Sequence, residues 1–230
     1  MSEELTILSA GAVKPGLVKV IDAFQHAAGA KVQVSFATAP AILERIGKDE
    51  TVDVVIAPPG VIEKLAESGH CAPNDGIILG RIGAGVFVRS GEPLPRVATV
   101  EDFTQSLLGA QSVVYNQAST GTYLEKLFAR LGIGAAIESK ATRYPDFAAV
   151  LDHVSKGAGK EIGLGATTVI IENEKRGVRF AGPLPAEIQN YTTYVAAIIG
   201  KGDAKEVAKA FIRYVSSDAA RSILAAVGIA

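Results

Sequence analysis

The stretch Leu5-Thr6-Ile7-Leu8-Ser9-Ala10-Gly11-Ala12-Val13-Lys14-Pro15-Gly16-Leu17 decides the fold of this 230-residue chain. Leu5 to Leu8 reads as a short buried strand, and Ser9-Ala10-Gly11-Ala12 as a loop of small residues. Lys14-Pro15-Gly16 opens a helix whose apolar positions Leu17, Val20, Ile21 and Phe24 fall at helical spacing, and Ala28-Gly29 ends it. The same design occurs twice more. Val32, Val34 and Phe36 alternate with polar residues as a strand does, and Thr38-Ala39-Pro40-Ala41 then leads into a helix over 41–46. Ser112 to Tyr115 is a strand that runs through Asn116-Gln117-Ala118-Ser119-Thr120-Gly121-Thr122 into a helix from Tyr123 to Leu131. A helix N-terminus presents unpaired backbone N–H groups and a partial positive charge. Three such ends turned toward one ligand would form an anion receptor without any charged side chain.

Outward from these units, Val52 to Ala57 is a continuous apolar strand of the kind found inside a parallel sheet. Pro58-Pro59-Gly60 breaks it before a helix from Val61 to Ser68. The first part is therefore βαβαβα, a parallel sheet covered by helices. Gly80 to Arg89 is a Gly-rich β segment, and Thr99 caps a helix that starts near Val100 with Asp102 in its first turn. Phe147 to Lys156 is helical. Glu161 to Leu164 is a short strand leading to a turn at Thr167-Thr168, and Val178 to Ala181 is another strand. Tyr191 to Ile199 is strongly β-like. Helices over 204–216 and 219–226 close the chain.

Composition excludes several classes. Twenty-three basic and 24 acidic residues leave a net charge of -1, which argues against nucleic acid as a partner. Aromatic content is 6% with no Trp, so a base-stacking platform is not expected. Cys71 is the only cysteine, which rules out an intrachain disulfide and thiolate-rich metal sites. No apolar run is long enough to span a bilayer. Met1-Ser2-Glu3-Glu4 lacks the basic and apolar regions of a secretory signal. A cytoplasmic location is expected if Met1 is the native start, a periplasmic one if a signal has been removed.

The order and spacing of these pieces resemble the molybdate-binding-protein-like solute-binding proteins of the type II periplasmic-binding fold. The resemblance rests on residues 5–12, on Val34-Ser35-Phe36-Ala37-Thr38-Ala39 and on Val52-Asp53-Val54-Val55-Ile56. It continues through Ala118-Ser119-Thr120-Gly121-Thr122-Tyr123, Glu161-Ile162-Gly163 and Pro183-Leu184-Pro185-Ala186-Glu187. It implies an α/β clamshell of two lobes, each a mixed sheet flanked by helices. Lobe one would comprise 1–84 and 195–230, and lobe two 85–194, with crossings near 83–89 and 191–197. Ligand would bind between the lobes and hinge closure would bury it. Gly83 and Gly85 suit either a hinge or close strand packing.

Molybdate binders carry serines in their first two loops, and the corresponding positions here are Ala12 and Ala39, with Thr38 beside the second. A hydrogen bond to a charged group is worth about 1.5–3 kcal/mol, so losing two weakens a tetrahedral-oxyanion site severely. A small organic carboxylate is the expected ligand, and molybdate or tungstate the alternative. The candidate ligand-binding residues are Ala10, Gly11, Ala12, Thr38, Ala39, Asn116, Ser119, Thr120, Gly121, Thr122, Thr167 and Tyr191. Thr168 and Tyr194 lie beside two of them, and either tyrosine suits the place where the family sets one at the ligand. Lys14 and Arg89 are candidate counter-charges or plain surface residues.

No nucleophile elbow, P-loop or zinc-protease motif occurs. His26, His70 and His153 are far apart in the chain. Binding is therefore expected rather than catalysis, either as a transporter-type solute-binding protein or as a cytoplasmic sensor. A membrane transporter is a conceivable partner, the chain is expected to act as a monomer, and no cofactor or metal is implied. The alternative is a small enzyme that uses the cleft for acid–base chemistry on a carboxylate, with Tyr115 or His153 handling the proton.

Overall fold

A computed structural model describes residues 4–72, 76–200 and 205–230. The chain divides into two compact units, Met1–Ile82 with Thr193–Ala230, and Gly83–Thr192.

In the first unit, β1 (Glu4–Ala10) leads through a single 3-10 turn into α1 (Lys14–Ala28), β2 (Lys31–Ala37) into α2 (Ala39–Gly47), and β3 (Val54–Ala57) into α3 (Pro59–Glu67). β1 is central and parallel to both neighbours, Ile7 lying opposite Val34 on one side and Val54 on the other. Leu5, Leu8, Val54, Val55 and Ile56 are fully buried, as a strand covered on both faces must be. β4 (Ile77–Arg89) begins in the first unit and runs into the second, which continues with α4 (Val100–Gly109), β5 (Ser112–Asn116), α5 (Ser119–Arg130), α6 (Gly134–Glu138), β6 (Ala141–Tyr144), α7 (Phe147–Lys156), β7 (Glu161–Ala166), α8 (Thr167–Glu172) and β8 (Val178–Pro183). β9 (Tyr191–Ile198) returns to the first unit and pairs antiparallel with β3. α9 (Glu206–Val215) and α10 (Asp218–Ala225) follow, Phe211 meeting Phe24 of α1 edge-on at 5.2 Å.

One plan serves both units. β5 is flanked by parallel β6 and β7, and β4 runs antiparallel beside β7. These strands correspond in order and direction to β1, β2, β3 and β9. Alternation sends Val86, Val88 and Val113 to one face of the second sheet, against α4 and α5, and Phe87 and Val114 to the other, against α7. Burying such side chains contributes roughly 1.5–3 kcal/mol each.

The mixed α/β architecture agrees with the sequence reading, with local differences. α5 starts a turn earlier than Tyr123, because Ser119-Thr120-Gly121-Thr122 are weak helix formers placed by the end of β5. Thr167-Thr168 opens α8 rather than a turn. Its Thr-Thr-Val-Ile-Ile run favours β structure intrinsically, but burial of Ile170 among Phe87, Val150 and Val178 makes it helical. β6 was not expected, since Ala-Thr-Arg-Tyr on an edge shows no clear alternation. The expected start of the penultimate helix, Ala204, lies outside the described residues. Gly85 is crowded: an added Cβ would lie 2.7 Å from the Phe180 ring.

Two features fix strand ends. Gly121 brings α5 so close to β5 that an added Cβ would lie 1.7 Å from the Asn116 carbonyl oxygen. Asp53, just before β3, accepts from the Thr6 N–H and hydroxyl, both at 2.8 Å, and its other oxygen lies 2.9 Å from Lys205 Nζ. Burial works against this carboxylate's charge. The Thr6 N–H, Lys205 and the Thr6 hydroxyl outweigh it and hold the pKa below its ordinary value.

Gly121→Ala should destabilise the protein by about 3 kcal/mol, the upper end of ordinary overpacking, measured by urea unfolding; unchanged stability would contradict this approach of α5. A folded-state pKa below the unfolded one means stabilisation that is full above the unfolded pKa and lost as pH falls through the folded value. Asp53→Asn should therefore lower Tm at pH 7, and the gap to the parent should close as pH falls through the acidic end of the carboxylate range. A gap independent of pH would show that charge is not what the carboxylate contributes.

Candidate functional site

Each unit gathers its small-residue loops at the C-terminal edge of its parallel strands. In the first unit, Ala10 ends β1 opposite Ala37 at the end of β2. The backbones of Ala10, Gly11 and Ala12 and of Thr38 and Ala39 therefore sit side by side. Thr38 is the N-cap of α2, yet its side chain accepts no hydrogen bond from the helix. Elsewhere side chains do cap. Thr99 Oγ1 accepts from Asp102 N–H at 3.0 Å, Asp146 Oδ1 from Ala149 N–H at 2.9 Å, and Ser217 Oγ from Ala220 N–H at 3.3 Å. The first turns of α1 and α2 contain no acidic residue. Lys14 Nζ lies 5.7 Å from the centre of the Phe36 ring.

In the second unit, Asn116 ends β5, and its Oδ1 accepts from the Ala118 N–H at 3.3 Å. The Gln117 N–H donates to the Tyr144 carbonyl at 2.8 Å, which ties the loop to the end of β6. Ser119, Thr120, Gly121 and Thr122 form the first turn of α5, whose N-cap is Ala118 and has no side-chain cap. Thr120 is only 9% exposed, and its hydroxyl has no hydrogen-bond partner among the described residues. Thr167 follows β7 directly, on the same edge, with buried Thr168 next to it. Tyr191 is 57% exposed at the start of β9, whereas Tyr194 is buried.

Ala10, Gly11, Ala12, Thr38 and Ala39 thus come together in one unit, and Asn116, Ser119, Thr120, Gly121, Thr122 and Thr167 in the other. Arg89 does not join them. It pairs with Glu92 at the far end of β4, beside the start of β7. Sequence reading also missed the loop after β6, Tyr144-Pro145-Asp146, which is the counterpart of the Thr38 loop. The signal was there: Asp146 stands in N-cap position before an apolar-periodic helix. Tyr115 is buried edge-on against Phe128, and burial, reinforced by Glu125, raises its phenol pKa. Burial raises that of Tyr194 much further. His153 Nδ1 lies 2.9 Å from the Tyr144 hydroxyl. Among the described residues no group of three or more His, Cys, Asp or Glu side chains is placed to hold a metal ion.

Comparison with known proteins places this geometry. Residues 5–230 match the family described as bacterial extracellular solute-binding protein, and the chain belongs to that family. A curated relative, aconitate isomerase from a Pseudomonas species, is 32% identical over 228 residues, spanning 95% of this chain and 85% of that protein. The fold is that of the type II periplasmic binding proteins. The Azotobacter vinelandii periplasmic molybdate-binding protein superimposes with a TM-score of 0.81 at 18% identity, over 98% of each chain. The sulfate-binding protein of Mycobacterium tuberculosis does so at 0.77 and 16% identity, over 98% of this chain and 86% of that one.

Hydroxyls that cap nothing should be dispensable for folding. Thr99→Ala should cost about 1 kcal/mol, while Thr38→Ala should leave the ligand-free stability within about 0.5 kcal/mol of the parent. Equal losses in a urea titration would mean that Thr38 caps α2 after all.

Proposed function

We propose that this protein binds a small organic polycarboxylate at its small-residue loops, through backbone N–H groups at helix N-termini. The observation that carries this is the likeness, along nearly the whole chain, to a protein named for aconitate, an unsaturated tricarboxylate. The loops support it. Ala12 and Ala39 stand where molybdate binders have serines, so the first unit offers backbone N–H groups and few hydroxyls to a compact oxyanion. An extended carboxylate needs fewer donors per end and tolerates apolar neighbours. The hydroxyl of Thr120, a residue only 9% exposed and without a hydrogen-bond partner for that group among the described residues, supplies one directed donor in the second unit. For a pure binder the family membership favours delivery of the captured solute to a membrane importer.

A second reading follows from the same relative, which is named as an isomerase. Isomerising an unsaturated carboxylate removes a proton from one carbon, shifts the double bond and returns a proton to another, with no net oxidation. That chemistry needs one acid–base group and no cofactor. The hydrogen-bonded Tyr144–His153 pair is the available group of that kind on the second unit.

Thermal shift with molybdate, sulfate, citrate and both aconitate isomers, followed by proton NMR of each stabilising compound, separates the readings. A ligand at one hundred times its Kd adds about 2.7 kcal/mol. Stabilisation by tricarboxylates without turnover supports the receptor, and interconversion of the aconitates supports the isomerase. Stabilisation by molybdate alone would overturn the carboxylate reading, and no stabilisation by any anion would overturn both. Thr120→Ala should weaken binding of the stabilising carboxylate about tenfold.

A further inference from the structure

We infer that Gln189 is a positioning residue for the second unit, holding Thr167 where its hydroxyl meets a bound carboxylate; this rests on the polycarboxylate reading above and on Thr167 as one of its donors. The Gln189 amide is committed to backbone. Its Oε1 accepts from the Ala84 N–H at 2.8 Å and the Asn190 N–H at 2.9 Å, and its Nε2 donates to the Ala84 carbonyl at 3.0 Å and the Leu184 carbonyl at 3.3 Å. Two N–H donors and an oxygen with two lone pairs are the full capacity of a primary amide. Toward Ala84 the side chain does what a neighbouring strand does, bonding the N–H and the C=O of one residue. It does so where β8 stops. Gly85 still pairs with Pro183, the last residue of β8, and the Leu184 N–H reaches the Ala84 carbonyl at 3.1 Å. Ala84 is only 3% exposed, so its N–H needs the partner that Gln189 supplies. Gln189 is itself anchored, because the Ile188 carbonyl before it accepts from the Tyr123 hydroxyl of α5 at 2.6 Å.

What Ala84 supports is the end of β7. Ala84 lies opposite Ala166 and Gly85 opposite Gly165, and Thr167 follows as the first residue of α8. The Thr167 methyl group lies over Gly85, where an added Cβ would be 3.0 Å from Thr167 Cγ2. The hydroxyl on the same Cβ has no hydrogen-bond partner among the described residues. Methyl and hydroxyl belong to one rotamer, so seating the first on β4 directs the second. Holding β4 at Ala84 therefore holds the direction of Thr167 Oγ1. A binding group must be kept to within about 0.5 Å of its productive position, and the residues behind it provide that precision. Gln189 stands in that place, one strand removed from the ligand loop.

The test is calorimetric titration of the full chain with trans-aconitate, for the parent, Thr167→Ala, Gln189→Met and the double variant, at a temperature well below every ligand-free Tm. Met keeps the length of Gln and removes its hydrogen bonds. Gln189→Glu, which keeps an acceptor for the Ala84 N–H, takes its place in the same cycle should Gln189→Met not fold. In the parent background Gln189→Met should weaken binding about tenfold, the effect of one hydrogen bond to a charged group. In the Thr167→Ala background it should weaken binding by less than about twofold, because the group it positions has gone. A merely structural role would lower Tm and weaken binding equally in both backgrounds. Undiminished affinity in Gln189→Met, or an equal loss in the two backgrounds, would overturn the inference and leave the carboxylate reading standing. Parental affinity in Thr167→Ala would overturn Thr167 as a donor and the inference with it. Failure of the parent to bind trans-aconitate or any other carboxylate would overturn the ligand class itself.

Discussion

A helix that starts where a parallel strand ends cannot satisfy its first N–H groups from within itself. That condition falls at the edges where the loops gather. α1, α2, α5 and α8 begin within a few residues of the ends of β1, β2, β5 and β7, and none receives a side-chain cap. The connections are short because the helices must cover the sheet at once, and Gly121 is the extreme case, where the backbones touch. Uncapped donors and tight strand–helix turns are one constraint seen from two sides: the geometry that packs the core also turns polar backbone outward.

The distribution of charge follows the same division. Acids occupy the first turns of α4, α9 and α10, where they complement the helix dipole. They are absent from the first turns of α1, α2, α5 and α8. Ion pairs that organise the framework lie elsewhere: Asp53 with Lys205 ties the start of β3 to α9, and Arg89 with Glu92 closes the far end of β4. Arg143 over the Tyr115 ring is matched by Glu125 at 2.6 Å. Fixed charge is balanced where it supports the fold, whereas Lys14, over the Phe36 ring, meets no carboxylate among the described residues.

The regular elements were largely legible, because β1, β3 and α1 have apolar patterns that permit one reading. Residues 10–12, 38–39 and 116–122 stood out as small-residue loops between such elements, so their side-by-side placement within each unit was foreseeable from parallel-sheet topology. What escaped was context-dependent. α8 has β-branched residues that favour a strand, and only the packing of Ile170 decides otherwise. β6 is an edge strand with partial burial, so no alternation marks it, and with it the loop at Tyr144-Pro145-Asp146 went unseen.

The sequence by itself determined the βα alternation, the small-residue loops and the alanines at positions 12 and 39 within them, because those depend on local pattern and residue chemistry. Tertiary structure alone decided which hydroxyls cap helices and which do not, and which cations are neutralised. Thr99 and Thr38 look alike as N-cap candidates, and Lys14 and Arg89 look alike as counter-charges. A hydrogen bond or ion pair depends on distances of a few ångströms between residues far apart in the chain, and those distances exist only once the strands have paired.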